Sequence, residues 1–256
     1  MGKLDWLAEP LTRHLDLDDP QTTLLRAQMI RRKPFLRRIY EDWYRHIVYA
    51  LPSGGGPVLE LGSGAGFLKD FIPELITSEV FYMPFVNTVM KGEQLPFADG
   101  SLRAVVMVDV LHHIPNARAF FSEAARCVRS GGALVMIEPW VTSWSALIYR
   151  HLHHEPFLPE AKTWEFATSG PLSGANEALP WIIFRRDLPI FQHEFPQLKV
   201  RKVEPIMPFR YLVSGGLSKR SLMPGWSYKL WDWVEAALAR QNNRLGMFAI
   251  IALHHL

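Results

Sequence analysis

Three groups of residues in this sequence have types and spacings that can do chemistry. The first is Glu60-Leu-Gly62-Ser-Gly64-Ala-Gly66. Glycines at alternate positions let a backbone turn tightly and let a ligand approach the main chain. A dinucleotide calls for G-x-G-x-x-G with its pyrophosphate over a helix N-terminus. Here the spacing is G-x-G-x-G, Phe67 follows the last glycine, and Glu60 stands just before the first. A carboxylate repels a pyrophosphate and attracts a cation such as the amino end of a methionine moiety. Glu79 follows 19 residues after Glu60. A carboxylate at that separation, ending the next strand, can accept from both hydroxyls of a ribose; the alternative is an exposed loop glutamate.

The second group is His112, His113 and Glu138. A neutral imidazole can take a proton near neutral pH, so His113, and after it His112, are candidate bases. One of the pair can equally be structural, bonded to backbone. Glu138 either orients or deprotonates a substrate or pairs with a basic residue. The third group, His151, His153, His154 and Glu155, is the densest cluster of possible metal ligands. Zinc patterns ask for histidine pairs at i, i+4 on a helix or for cysteine sets, and neither is present. No metal is therefore expected, and these residues are read as part of a wall over the substrate.

The elements that must position these groups alternate. Residues 1–50 read as helical, with apolar residues from Leu24 to Trp43 recurring mainly at three and four, and Pro34 kinks or splits the run. Leu51 to Pro57 is a linker. Pro57 to Leu61, Leu75 to Glu79, Leu102 to Asp109 and Ala133 to Glu138 read as strands, the first leading through the glycine loop into a helix. Asn116 to Ser130 reads as a helix capped by Asn116 and stopped by Gly131-Gly132. Strands alternating with helices imply a parallel sheet with crossovers, which binds ligands beyond the carboxyl ends of its strands. Segment 151–180 has little periodicity and reads as a long loop or lid. Val200 to Val213 and Met247 to Leu253 read as late strands, and Met223 to Arg240 contains a helix. Seven of the nine tryptophans lie beyond residue 139, either as core or as the lining of an apolar pocket.

Between Pro57 and Trp140 the sequence resembles class I S-adenosylmethionine-dependent methyltransferases, particularly the type 11 group. The matching pieces are Val58 to Gly66, Leu95-Pro-Phe-Ala-Asp99, Val108-Asp-Val-Leu-His-His-Ile114 and Val128-Arg-Ser-Gly-Gly-Ala-Leu-Val135, in that order. The resemblance implies an α/β Rossmann-like fold. Its seven-stranded sheet is mostly parallel with an antiparallel last strand and helices on both faces, here with an N-terminal helical extension and a C-terminal lid. It divides the chain into a helical segment 1–50 and a methyltransferase domain 51–256, with a cofactor half 57–140 and an acceptor side 141–256. It implies that Glu60, Gly62, Ser63, Gly64 and Gly66 surround the methionine part, that Glu79 holds the ribose, and that Asp109, Val110 and the residues to His113 form a cofactor wall. The segment before Leu95 frames the adenine. Relatives often place an aspartate four residues before the Leu-Pro-Phe triplet, and here that position is Lys91, which cannot accept a hydrogen bond. The backbone of Gly92 to Gln94, or Glu93, is left to make that contact.

Methyl transfer from a sulfonium is a displacement, which needs alignment and exclusion of water and needs a base only when the acceptor must lose a proton. The expected activity is methyl transfer to a small or medium-sized, partly apolar metabolite, leaving S-adenosylhomocysteine. The alternatives are a nucleic-acid methyltransferase, supported only by the basic run Arg31 to Arg38, and a cofactor-binding scaffold. Composition agrees with a folded protein: 256 residues, 48% hydrophobic, 21% charged, net charge +3. The single Cys127 excludes an internal disulfide and suits a reducing, cytoplasmic setting. No apolar run reaches the roughly 20 residues of a membrane span. Oligomeric state cannot be read from the sequence.

Overall fold

The computed structural model describes residue 9 and residues 18–153, 155–168, 170 and 172–256. Much of the expected N-terminal helical stretch, residues 1–8 and 10–17, lies outside them, as does His154 of the histidine cluster. The described part of that stretch forms two helices, α1 (Pro20–Arg32) and α2 (Pro34–Ala50). Pro34 breaks the run rather than bending it. A proline forces the preceding residue out of helical geometry, and Lys33 is extended at φ −104° and ψ 92°. Pro34 then serves as a first-turn residue, where its missing N–H costs nothing. Asp19 caps α1 by accepting from the Gln21 N–H at 2.8 Å. In α2 the buried residues Phe35, Leu36, Ile39, Tyr40, Trp43, Tyr44 and Ile47 fall on one stripe.

The strands are β1 (Val58–Glu60), β2 (Leu75–Glu79), β3 (Thr88–Val89), β4 (Leu102–Val108), β5 (Val128–Pro139), β6 (Leu198–Ile206) and β7 (Phe248–His255). They make one seven-stranded sheet in the order β3-β2-β1-β4-β5-β7-β6. β1 to β5 pair parallel, and β7 runs antiparallel between β5 and β6. The order reverses between β1 and β4, so a crevice opens there beyond the carboxyl ends of the strands.

Strand residues alternate between the two faces. Leu59, Val105, Met107, Leu134 and Met136 join a core under helix α3 (Ala117–Cys127) and the turns around Ile182 and Ile183. Val58, Ala104, Val106, Val135 and Ile137 join a second core under α2 and helix α4 (Ser143–Leu152). The remaining helices are short: α5 (Leu179–Trp181), α6 (Leu188–Glu194), α7 (Arg210–Ser214), α8 (Tyr228–Ala237) and α9 (Asn242–Leu245). Phe121 on α3 packs among Phe184, Phe191 and Phe195, with ring centroids 5.8, 5.0 and 5.6 Å away. Phe121→Ala is expected to cost roughly 3–5 kcal/mol, measured as a lower urea midpoint at unchanged m-value.

Four expectations need correction. Residues 128–130 continue as strand, so α3 ends at Cys127 and Gly131-Gly132 sit inside β5. The pairing jumps there from Leu102–Val128 to Ala104–Ala133, and the bulged residues loop out at Gly131, φ +76°. No regular helix follows the glycine loop; the chain makes one 3-10 turn, Leu68–Asp70. The short span to Leu75 contains Pro73, and the Phe67 N–H is already taken by the Tyr44 hydroxyl of α2 at 3.0 Å. The expected strand to Val213 stops at Ile206, and α7 follows. The lid expected over 151–180 begins after α4, whose last turn includes His151 and Leu152; among the described residues, 153–178 contains no helix or ladder strand. No helix among the described residues is long and apolar enough to cross a membrane.

Candidate active site

A cavity of about 660 Å³ lies over the crevice, within the range of about 300–1,000 Å³ usual for small-molecule sites. Its floor is the glycine loop. Gly62 has φ +65°, and a Cβ there would lie 2.6 Å from a Val110 methyl; at Gly66 a Cβ would lie 2.6 Å from the Tyr44 hydroxyl. The close packing of the loop against Val110 and Tyr44 thus depends on these two positions lacking a side chain. Gly62→Ala combines a left-handed backbone with that clash. It is expected to cost about 1–3 kcal/mol, measured as a fall in melting temperature.

Glu60 ends β1 and is 4% exposed. Burial pushes its carboxyl up to about 8; hydrogen bonding from Ser63 works against the rise and the Glu79 charge adds to it. Glu79 ends β2. One of its oxygens accepts from the Gly64 N–H at 2.8 Å and the other from the Val80 N–H at 3.0 Å. Burial raises this carboxyl too, and those two N–H groups hold it down. Ser63 joins the strands, donating to the Glu60 carbonyl and accepting from the Ser78 N–H at 3.1 Å. Asp109 directly follows β4 at φ +62°, a left-handed conformation rare outside glycine. The burial of its carboxyl raises it to about 7, with the His112 charge opposing.

Behind this wall sits a network built on the buried His112 and Glu138. One Glu138 oxygen accepts from the Val110 and Leu111 N–H groups at 2.9 and 2.8 Å. The other accepts from His112 Nδ1 at 2.9 Å. Across the imidazole, Glu155 lies 3.5 Å from His112 Nε2. Burial disfavours a charged His112, but the hydrogen bonds to Glu138 and Glu155 hold it well above the usual histidine value. Burial and the neighbouring His112 charge push His113 down to about 4. His113 Nδ1 lies 3.1 Å from the Gly174 carbonyl, which can only accept, so Nδ1 carries the proton and Nε2 keeps a lone pair.

Of the residues singled out from the sequence, Glu60, Gly62, Ser63, Gly64, Gly66, Glu79, Gly92, Glu93, Asp109, Val110 and His113 line the cavity. Four others do not. Gln94 closes a turn with Lys91, and Leu95 is 3% exposed in the core, its N–H donating to Glu123 at 2.8 Å. His112 and Glu138 are 1% and 0% exposed behind the wall, so neither can reach a bound molecule. Tyr40 and Tyr44 of α2, Tyr149 of α4, Tyr211 of α7 and Glu177 of the loop also line the cavity. The two α2 tyrosines look like core in sequence because they fall on its apolar stripe. Nothing local marks Glu177.

Residues 77–136, from β2 into β5, match the family model of a methyltransferase domain. No curated protein matches the sequence. Among solved structures, the fold is similar to geranyl diphosphate C-methyltransferase from Streptomyces coelicolor A3(2) at a TM-score of 0.52 and 13% identity, covering 86% of this chain and 79% of that one. A geranyl diphosphate methyltransferase solved with S-adenosylmethionine gives 0.53 at 15% identity over 90% of both chains. A methyltransferase from Thermotoga maritima gives 0.50 at 15% identity, over 85% of this chain and 89% of that one. At such identities the likeness is one of fold. It agrees with the matched segment, whose span from β2 to β5 includes the ends of the strands that wall the cavity: residues 77–136 match a methyltransferase domain, and the chain as a whole has the Rossmann-like fold of these methyltransferases.

Proposed function

We propose that this cavity binds S-adenosylmethionine and that its methyl group passes to a small acceptor held beside it. The observation that carries the reading is the convergence of two buried carboxyls, Glu60 and Glu79, on an open glycine loop with no regular helix behind it. A pyrophosphate needs the N-terminus of such a helix and the absence of such charge; a cationic amino acid moiety needs the reverse.

The residues fit the cofactor. Gly62 and Gly66 let the loop pack tightly against Val110 and Tyr44, and Gly64 leaves room beside the Glu79 carboxyl. Glu60 faces the amino group. Glu79 retains lone pairs for ribose hydroxyls, since each oxygen accepts only one backbone bond. The turn of Lys91, Gly92 and Glu93 frames the adenine, and Asp109 and Val110 form the side wall. The bound cofactor supplies an electrophilic methyl. The protein aligns the acceptor, excludes water and, where the acceptor carries a proton, offers the Nε2 lone pair of His113 to receive it. Tyr149, Leu152, Leu172, Tyr211, Leu212 and Leu217 line the far side, which suits a partly apolar metabolite.

Calorimetric titration of S-adenosylmethionine and S-adenosylhomocysteine into the wild type and Gly64→Arg tests the reading. Micromolar binding lost in the variant is expected, because the arginine side chain enters the cavity and pairs with Glu79. Binding of NAD or FAD in place of both ligands would overturn it.

A further inference from the structure

On the loop side of the same cavity, His153, Glu155 and Glu177 bring donor atoms to within 4.8 Å of one another. They come from the two ends of the long loop, and its ends are tied together. The Glu177 N–H donates to the Pro156 carbonyl at 3.0 Å. The Leu158 N–H donates to Asn176 Oδ1 at 3.0 Å, and Asn176 Nδ2 donates back to the Leu158 carbonyl at 3.2 Å. Asn176 is fixed in turn to the sheet side, its N–H reaching the His112 carbonyl at 2.9 Å. The loop ends that carry the three side chains are therefore held together by hydrogen bonds.

Glu177 is the telling member. It is 2% exposed. One oxygen pairs with His153 Nδ1 at 2.8 Å. The other, Oε2, is buried and has no hydrogen-bond partner, although Glu177 lines the cavity. Buried carboxylate oxygens are nearly always satisfied, so one left open next to a cavity calls for an occupant. Glu155 offers a carboxylate oxygen within 4.8 Å of the Glu177 carboxylate, and the Asp109 carboxyl is close enough to feel its charge, a set of acids that favours a cation.

We propose that His153, Glu155 and Glu177 form a binding site for a divalent cation of the Mn²⁺ or Zn²⁺ class. An imidazole with two carboxylates is a donor set that suits these ions better than Mg²⁺ or Ca²⁺. A cation at about 2.1 Å from each donor needs donors roughly 3.4 Å apart, a small rearrangement of a cluster whose donors now lie within 4.8 Å of one another. The cation takes the place of the proton shared by His153 and Glu177. Glu155, already against His112 and His113 at 3.5 and 3.8 Å, has its orientation fixed from behind, as metal-binding carboxylates commonly do. The remaining coordination positions open into the cavity, where water or an oxygen of a bound molecule completes the shell. Bound there, the ion clips the two ends of the loop together over the cavity.

The probe is the metal alone, so the outcome is independent of the cofactor reading. Chelator-treated full-length protein is titrated with Mn²⁺, followed by electron paramagnetic resonance, and with Zn²⁺ by calorimetry. One saturable site is expected, weakened roughly 100-fold by Glu177→Gln and by Glu155→Gln and unchanged by His254→Ala/His255→Ala. Circular dichroism confirms that each variant is folded. Metal addition should also slow proteolysis within the loop of the wild type and not of Glu177→Gln. No saturable binding, binding unchanged in Glu177→Gln, or binding lost only with the terminal histidines would each overturn the proposal. So would protection of the loop by methylammonium with no response to either metal, which would make the cluster an amine subsite.

Discussion

Glu60→Gln is expected to abolish binding of S-adenosylmethionine and, at the same time, to make the unliganded protein more heat-stable at alkaline pH. The two effects have one cause. Glu60 is fully buried at the end of β1, and its carboxyl rises from 4.5 when unfolded to about 8 when folded. Below pH 4.5 it is protonated in both states and contributes no slope. Between 4.5 and 8 the folded protein keeps a proton the unfolded chain has released, so stability falls as pH rises. Above pH 8 the folded state carries the full cost of a buried charge, at about 1.4 kcal/mol for each unit of displacement. Glutamine removes that cost. The melting temperature of Glu60→Gln should therefore exceed that of wild type most clearly at pH 8 to 9, and the difference should shrink toward pH 5.

Binding runs the other way. At pH 7 the unliganded carboxyl holds its proton, and an ammonium group favours the carboxylate. Binding to wild type should release a proton, which calorimetry in buffers of different ionisation enthalpy detects. Affinity should rise with pH toward 8, up to tenfold per unit. Glutamine has no proton to release and no charge to offer. Equal affinity in wild type and variant, or binding without proton release, would remove Glu60 from the cofactor site.

The second large effect concerns a residue that touches no ligand. Glu138→Ala is expected to destabilise the fold by about 3–5 kcal/mol, the usual cost of breaking a buried ion pair from one side. It strips the Val110 and Leu111 N–H groups and the His112 imidazole of their acceptor, all in the interior. For a domain of this size the melting temperature should drop by roughly 6–20 °C, at about 2–4 °C per kcal/mol. Adding His112→Leu removes the stranded cation, so the double variant should lie well above the sum of the two single losses. Additive losses would show that the pair is not coupled. Glu138 thus carries the wall from Asp109 to His113, a positioning role.

The sequence by itself determined what depends on neighbours along the chain. Val58 to Glu60 and Leu102 to Val108 are legible as buried parallel strands because continuous apolar runs can be covered only on both faces. Pro34 and the Asp19 cap set the boundary and start of helices because backbone geometry and N–H supply are local properties. Gly62, Gly64 and Gly66 are legible because no other residue type tolerates the close approach they allow. The resemblance to known methyltransferases extended this to the sheet as a whole, including the antiparallel late strand.

The tertiary structure decided whatever depends on partners distant in sequence. Gly131-Gly132 reads as a helix stop, yet pairing with β4 on one side and β7 on the other draws the segment into β5. The helix expected after Gly66 is replaced by a 3-10 turn because Tyr44, from the preceding helix, takes the Phe67 N–H. Glu138 and His112 are of catalytic type, but each satisfies the other in the interior, and of the three candidates His113 is the one that lines the cavity. Glu155 and Glu177 are two ordinary loop glutamates 22 positions apart. The hydrogen bonds between residues 156–158 and 176–177 bring them side by side, because a ligand cluster is a property of chain crossings, which spacing along a sequence does not encode.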